Sequence, residues 1–186
     1  MKSRKIHKIK HGQLVNRKWL MAEGFTRPDI DYYLRSGSLQ AVARGIYRRP
    51  GDPLSWQAVV YALNGLGYRL HVGGATAIKE RGFAHFVAVE NCETIDLYSW
   101  QHLPLWLETW HQRQVLPVQK FRFVLHKQSW LDGLSQSVFF TRSFGTLGNE
   151  ISYASAELAL LEILLEAKNV ADLVTIDRWL ESMSSL

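Results

Sequence analysis

The side chains best suited to chemistry lie in the first fifty residues, and they suit binding. Arg27, Asp31, Tyr32 and Arg35 fall on one side of a helical projection, opposite Ile30, Tyr33 and Leu34. Arg17 and Lys18 precede them, and Arg44, Arg48 and Arg49 follow. Cationic side chains at this density favour phosphate oxygens and base edges, so a polyanion is the expected partner. Residues 1–50 carry twelve Lys and Arg against Glu23, Asp29 and Asp31, a formal +9. The remaining 136 residues carry ten basic and fourteen acidic groups, a formal −4. The whole surplus behind the overall +5 therefore sits in the first quarter of the chain. Nucleic acid leads as partner; an anionic membrane fits less well, because no strong apolar face adjoins the basic one. A solvated basic arm with no specific partner is the plainer alternative.

Covalent chemistry finds little support. The seven histidines include one pair at helical spacing, His7 and His11, in the basic arm without a carboxylate ligand. Cys92 is the only cysteine, so it has no internal disulfide partner, and beside Glu93 it gains no cationic help towards a thiolate. Gly73-Gly74 could cradle a phosphate on helix N–H groups or mark a tight packing turn. It is neither a Walker A loop nor a Gly-x-Gly-x-x-Gly fingerprint. A nucleotidyltransferase would need a carboxylate pair for Mg²⁺, yet the second residue after Asp96 is Tyr98. No catalytic residue, metal or cofactor is expected, and the chain reads as a non-enzyme.

A small helical unit must present the arginines. Leu14, Val15, Trp19, Leu20 and Ala22 predict a helix from Gln13, stopped at Gly24. Thr26 as N-cap, Pro28 in the first turn and Asp29 at N3 predict a second helix to about Ser36, with Gly37 ending it. Leu39–Ala43 and Ile46–Arg49 about Arg44-Gly45 predict a hairpin, ended by Pro50-Gly51. Helix, turn, helix and basic hairpin is the order of a winged helix-turn-helix. In that geometry Arg27, Tyr32 and Arg35 would enter the major groove of double-stranded DNA, and Arg17, Lys18, Arg44 and Arg48 would face backbone or minor groove.

The expected class is α+β, an N-terminal winged helix-turn-helix (1–51) followed, after a bridging helix (52–68), by a mixed α/β C-terminal domain (69–186). Asp52-Pro53 should open the bridging helix, which runs to about Asn64. Strands are predicted at Arg69–Val72, Phe83–Val89, Glu93–Tyr98, Phe121–His126 and Ser137–Arg142. A helix is expected near Ala75–Arg81. Ser155 should cap another, with Leu158, Leu161, Leu164 and Leu165 inside and Glu157, Glu162 and Glu166 outside. Ala171–Met183 should form the last, and either of these two could supply a dimer surface. Tyr98, Trp100, Trp106, Trp110 and Trp130 read as core or as a binding platform. No secretory signal or membrane span is visible, so a cytoplasmic location is expected.

Val15-Asn-Arg-Lys-Trp-Leu20, Tyr33-Leu-Arg-Ser-Gly37, Leu39-Gln-Ala-Val-Ala-Arg-Gly-Ile-Tyr47 and Pro50-Gly-Asp-Pro53 carry a family resemblance. It continues in Trp56–Leu63, His71-Val-Gly-Gly-Ala-Thr-Ala77, Gly82-Phe-Ala-His85, Leu103-Pro-Leu-Trp106 and Tyr153–Leu165. The chain resembles the AbiEi-type antitoxins, transcriptional-regulator halves of bacterial type IV toxin–antitoxin systems. The resemblance implies a winged-helix domain that binds operator DNA and represses its own operon. It also implies a C-terminal antitoxin domain opposing a nucleotidyltransferase-like toxin without a stable complex. Family members often continue past the Glu157–Leu165 helix, so a short or truncated C-terminal domain is expected. Thr26-Arg-Pro-Asp29 lies outside the family pattern, and no operator sequence is implied. A homodimer is the expectation for a repressor reading two half-sites. The alternative is a protein-interaction module for a toxin or another partner, with incidental DNA affinity.

Overall fold

The computed structural model describes residues 3–10, 13–51, 55–83, 92–108, 120–145 and 148–184. The chain divides into two units, Met1–Tyr68 and Arg69–Leu186. The first unit runs α1 (Ser3–Ile6), β1 (Leu14–Asn16), α2 (Arg17–Ala22), α3 (Arg27–Arg35), β2 (Gln40–Ala43), β3 (Ile46–Arg48) and α4 (Trp56–Gly65). Its three-stranded antiparallel sheet has the order β1-β3-β2. Ile6, Ile9, Val15, Leu20, Phe25, Ile30, Tyr33 and Leu39 form the core, with Trp19, Leu34 and Tyr47 packed against it.

Two expectations change here. The segment from Leu14 is a strand before it is a helix: Leu14, Val15 and Asn16 pair with Arg48, Tyr47 and Ile46. The Asn16 side-chain oxygen accepts the Trp19 N–H at 2.7 Å, so capping starts α2 at Arg17. Nor are the described residues 3–10 a solvated arm, because Ile6 and Ile9 are buried in the core.

The turn between α2 and α3 follows local rules. Gly24, at φ +85°, donates to Met21 O and Phe25 N–H donates to Leu20 O, closing a Schellman motif with Phe25 and Leu20 buried together. Thr26 and Asp29 form the expected capping box, and Gly37 at φ +69° follows the end of α3. The hairpin turns at Arg44-Gly45, with a bulge between Ala41 and Ala43. α4 is capped by Ser55, whose hydroxyl accepts the Ala58 N–H at 3.2 Å; Asp52-Pro53, expected to cap it, lies outside the described residues.

The second unit contains β4 (Leu70–Val72), α5 (Gly74–Glu80), β5 (Cys92–Ser99), β6 (Lys120–Lys127), β7 (Phe139–Phe144), β8 (Asn149–Ala154), α6 (Ala156–Glu166) and α7 (Val170–Ser184). Its mixed five-stranded sheet has the order β6-β5-β4-β8-β7. β5 runs parallel to β6 along eight residues, β4 antiparallel to β5 and parallel to β8, and β7 antiparallel to β8. Wholly buried β4 occupies the centre. The strand predicted at Phe83–Val89 lies almost wholly outside the described residues. β8 was not foreseen, and β7 starts two residues later than predicted because Ser135 first caps a 3-10 turn, Gln136–Val138.

α6 keeps Leu158 inside and Glu157 outside as expected, but departs from the expectation further along. Glu162 is buried, whereas Leu161, Leu164 and Leu165 are about half exposed. Apolar residues surround this helix, so periodicity could not orient it, and specific bonds to the Glu162 carboxylate do. The aromatic middle does not gather into one core: Tyr98 is buried, Trp106 and Trp130 are half-buried, and Trp100 is exposed. Trp110 lies outside the described residues.

Candidate nucleic-acid interface

α3 presents the densest set of predicted contacts. Ile30 and Tyr33 anchor it in the core, which leaves Arg27, Asp31, Tyr32 and Arg35 exposed, Tyr32 by 45%. Arg35 Nε donates to the Asp31 carbonyl at 3.3 Å, one turn back along the helix. The helix N-terminus is fixed from two sides. Asp29 Oδ2 accepts from Lys5 Nζ at 2.8 Å and from the Thr26 N–H at 3.0 Å. Lys5 also donates to Gly24 O at 2.8 Å, which ties α1 to the turn before α3. The Lys5 hydrogen bond, followed by the bonds from Thr26, holds the Asp29 carboxyl at about 2. Lys8 similarly bonds the Glu23 carbonyl at 2.8 Å and its carboxylate at 3.1 Å. Two of the three acidic residues in this region are thus paired internally, while the arginines of α3 face solvent.

The remaining predicted residues sit on α2 and the hairpin. Arg17 and Lys18 are exposed in the first turn of α2, and the Arg17 N–H donates to Gly45 O at 3.1 Å. That bond brings the start of α2 to the hairpin turn, where Arg44 is exposed. Arg48 is half-buried, its Nε donating to Gln40 Oε1 across the strands at 2.8 Å, and burial pulls its pKa down. Arg49 is also half-buried. Sequence reasoning missed Asn16 and Lys5 as supports. The Asn-Arg-Lys-Trp run carries a capping signal that could have revealed the first; the Lys5–Asp29 pair, 24 residues apart, has no local signal.

The Gly73-Gly74 alternatives resolve towards packing. Gly74 N–H donates to Glu162 Oε2 at 2.8 Å, so the protein's own carboxylate occupies the place a phosphate would take. A Cβ on Gly73 would collide with that carboxylate and with the Tyr98 ring. Glu162 Oε1 lies 2.6 Å from His71 Nε2. Beyond Tyr98, His126 lies between Asp96 (Nε2 to Oδ1, 3.2 Å) and Glu166 (Nδ1 to Oε1, 3.3 Å). The Tyr98 ring stacks on His126 at 4.3 Å and on His71 at 5.8 Å. Burial, then the negative charge of Glu162, pushes the Tyr98 hydroxyl well above the ordinary tyrosine range. Burial works against the charged form of His126, but the Asp96 bond and the two carboxylates outweigh it and raise its pKa. Thr76 Oγ1 donates to Asp96 Oδ2 at 3.1 Å, so this carboxylate is held within the fold. Among the described residues no group of three or more His, Cys, Asp and Glu is arranged to hold a metal ion, and no helix is long and apolar enough to cross a membrane.

The first unit is therefore a mixed α/β domain that anchors its helices on a small core and turns arginines outward. Residues 3–89 match the family of the transcriptional regulator AbiEi antitoxin N-terminal domain. The match spans every described element of the first unit and continues through β4 and α5. No characterised protein matches the chain.

Proposed function

We propose that the protein is a sequence-specific DNA-binding repressor that regulates its own toxin–antitoxin operon. In this reading the first unit is a winged helix-turn-helix: α2 and α3 are the helix pair, and β2 and β3 the wing. The element order and the β1-β3-β2 sheet support that assignment. α3 enters the major groove with Arg27, Tyr32 and Arg35 at base edges. Arg17, Lys18, Arg44 and Arg48 take backbone phosphate or the minor groove. The observation that carries the reading is the outward face of α3, four polar side chains on a helix pinned by Lys5, Thr26 and Asp29. Two copies occupy paired half-sites, and the second unit contributes antitoxin activity against a nucleotidyltransferase-like toxin without a stable complex. The protein acts in the cytoplasm, and its chemistry is binding without catalysis.

A reporter fused to the operon's own promoter tests this, with the chain supplied from a second plasmid. Repression is expected, and Arg27→Ala with Arg35→Ala should relieve it at equal protein level. A reporter indifferent to the chain would overturn the reading.

A further inference from the structure

One acidic side chain stands among the arginines on the outward face of α3. Asp31 is exposed there, four residues after Arg27 and four before Arg35, so the three lie along one stripe of the helix. The other two carboxylates of residues 1–50 are held internally, Asp29 by Lys5 and Thr26 and Glu23 by Lys8. Among the described residues no cation pairs with the Asp31 carboxylate. Arg35 turns its Nε to the Asp31 backbone carbonyl at 3.3 Å, which leaves the carboxylate oxygens to solvent. On a helix that meets DNA, a free carboxylate is repelled by phosphates whatever the sequence, unless a base offers it a donor. In the major groove the base donors are the amino groups of cytosine and adenine.

We propose that Asp31 reads cytosine in the major groove, its carboxylate accepting from the N4 amino group. This role rests on the reading of α3 as the major-groove helix and specifies a base for it. Adenine fits less well, because its N7 acceptor stands beside the N6 amino group and faces the second carboxylate oxygen. Guanine presents O6 and N7, and thymine O4 and a methyl group, so neither offers a donor. The guanine paired with the cytosine presents two acceptors to a guanidinium. Arg27 and Arg35 stand about 6 Å from Asp31 along the helix axis, under two base steps of about 3.4 Å. Cation, anion and cation along one stripe therefore suit a short run of G·C pairs. The carboxylate decides which strand carries the cytosine.

Selection of the full chain on a randomised duplex pool tests the inference, run in parallel for Asp31→Asn and Asp31→Ala. The unaltered chain should enrich cytosine at one position. Asp31→Asn should move that position to adenine, because an amide pairs with N6 and N7 together, and should leave the other positions unchanged. Asp31→Ala should abolish the preference there. By anisotropy on single duplexes, replacing that cytosine should weaken the unaltered chain by about five- to a hundredfold and the alanine variant little. At low salt the alanine variant should also bind unrelated duplexes several-fold more tightly. Asp31 is exposed, so both variants should melt with the unaltered chain. Uniform tightening by both variants with base preference intact would make Asp31 a charge balance and overturn the proposal. A preference that both variants share unchanged would remove Asp31 alone and leave the DNA reading standing. An unaltered chain that enriches no sequence would overturn the DNA reading and this role with it.

Discussion

The two units use charge in opposite ways. In the first, ionisable side chains point outward along α3 and at the hairpin turn, and the buried carboxylate, Asp29, is spent on capping a helix. In the second, carboxylates and imidazoles turn inward, where Glu162 joins His71 to the start of α5 and His126 lies between Asp96 and Glu166, while leucines of α6 face water. Outward arginines on a pinned helix suit an external polyanion. Inward pairs position the elements of the fold. The location of a charged group in the fold, more than its type, separates an interface from a scaffold.

The strongest challenge to this contrast is Glu162→Ala. It leaves His71 and the Gly74 N–H without their buried partner, and should destabilise the second unit by about 3–5 kcal/mol. A urea titration with separate probes for each unit should show the loss in the second alone. Arg35→Ala comes next. It should cost roughly 1–3 kcal/mol of operator affinity and relax the preference at one base position, with unfolding unchanged. Selection from a randomised duplex pool would show that relaxation; unchanged selection would remove Arg35 from the base-reading set. Thr26→Ala should remove about 1 kcal/mol of stability through the lost N-cap, measurable by thermal melting.

Three smaller effects depend on pH or salt. Asp29 is lowered from 3.8 to about 2, so its contribution is present above pH 4 and disappears as pH falls through about 2. Asp29→Asn should flatten the acid limb of first-unit stability. His126 is raised, so its contribution is complete below its ordinary value of 6.5 and disappears as pH rises through the folded value. His126→Gln should flatten the second unit's response on that side. Arg44→Ala should weaken binding to all duplexes alike and reduce the salt slope by about one.

The features open to sequence reasoning were those made by near neighbours. Thr26, Asp29 and Gly24 announced the ends of α2 and α3, and Gly45 announced the hairpin. The exposed face of α3 followed from those ends, because a 3.6-residue period assigns the outward positions once the inward ones are known. β1 was hidden because Leu14 and Val15 fit a helical period equally well, and their strand partners lie more than thirty residues on. The orientation of α6 was hidden for a related reason: His71, which meets the carboxylate of Glu162, is 91 residues away. A helix apolar on every side offers no preference until such a partner is known.

Discrimination between DNA sequences is the property a base-reading α3 must have. Fluorescence anisotropy of the full chain against its own promoter and a scrambled duplex, at about 0.15 M salt, measures it at near-physiological screening. The outward α3 face predicts tighter promoter binding by roughly a thousandfold or more, retained as a ratio while both affinities fall with added salt. Equal, weak binding to both duplexes would contradict it, and would leave the first unit a basic scaffold.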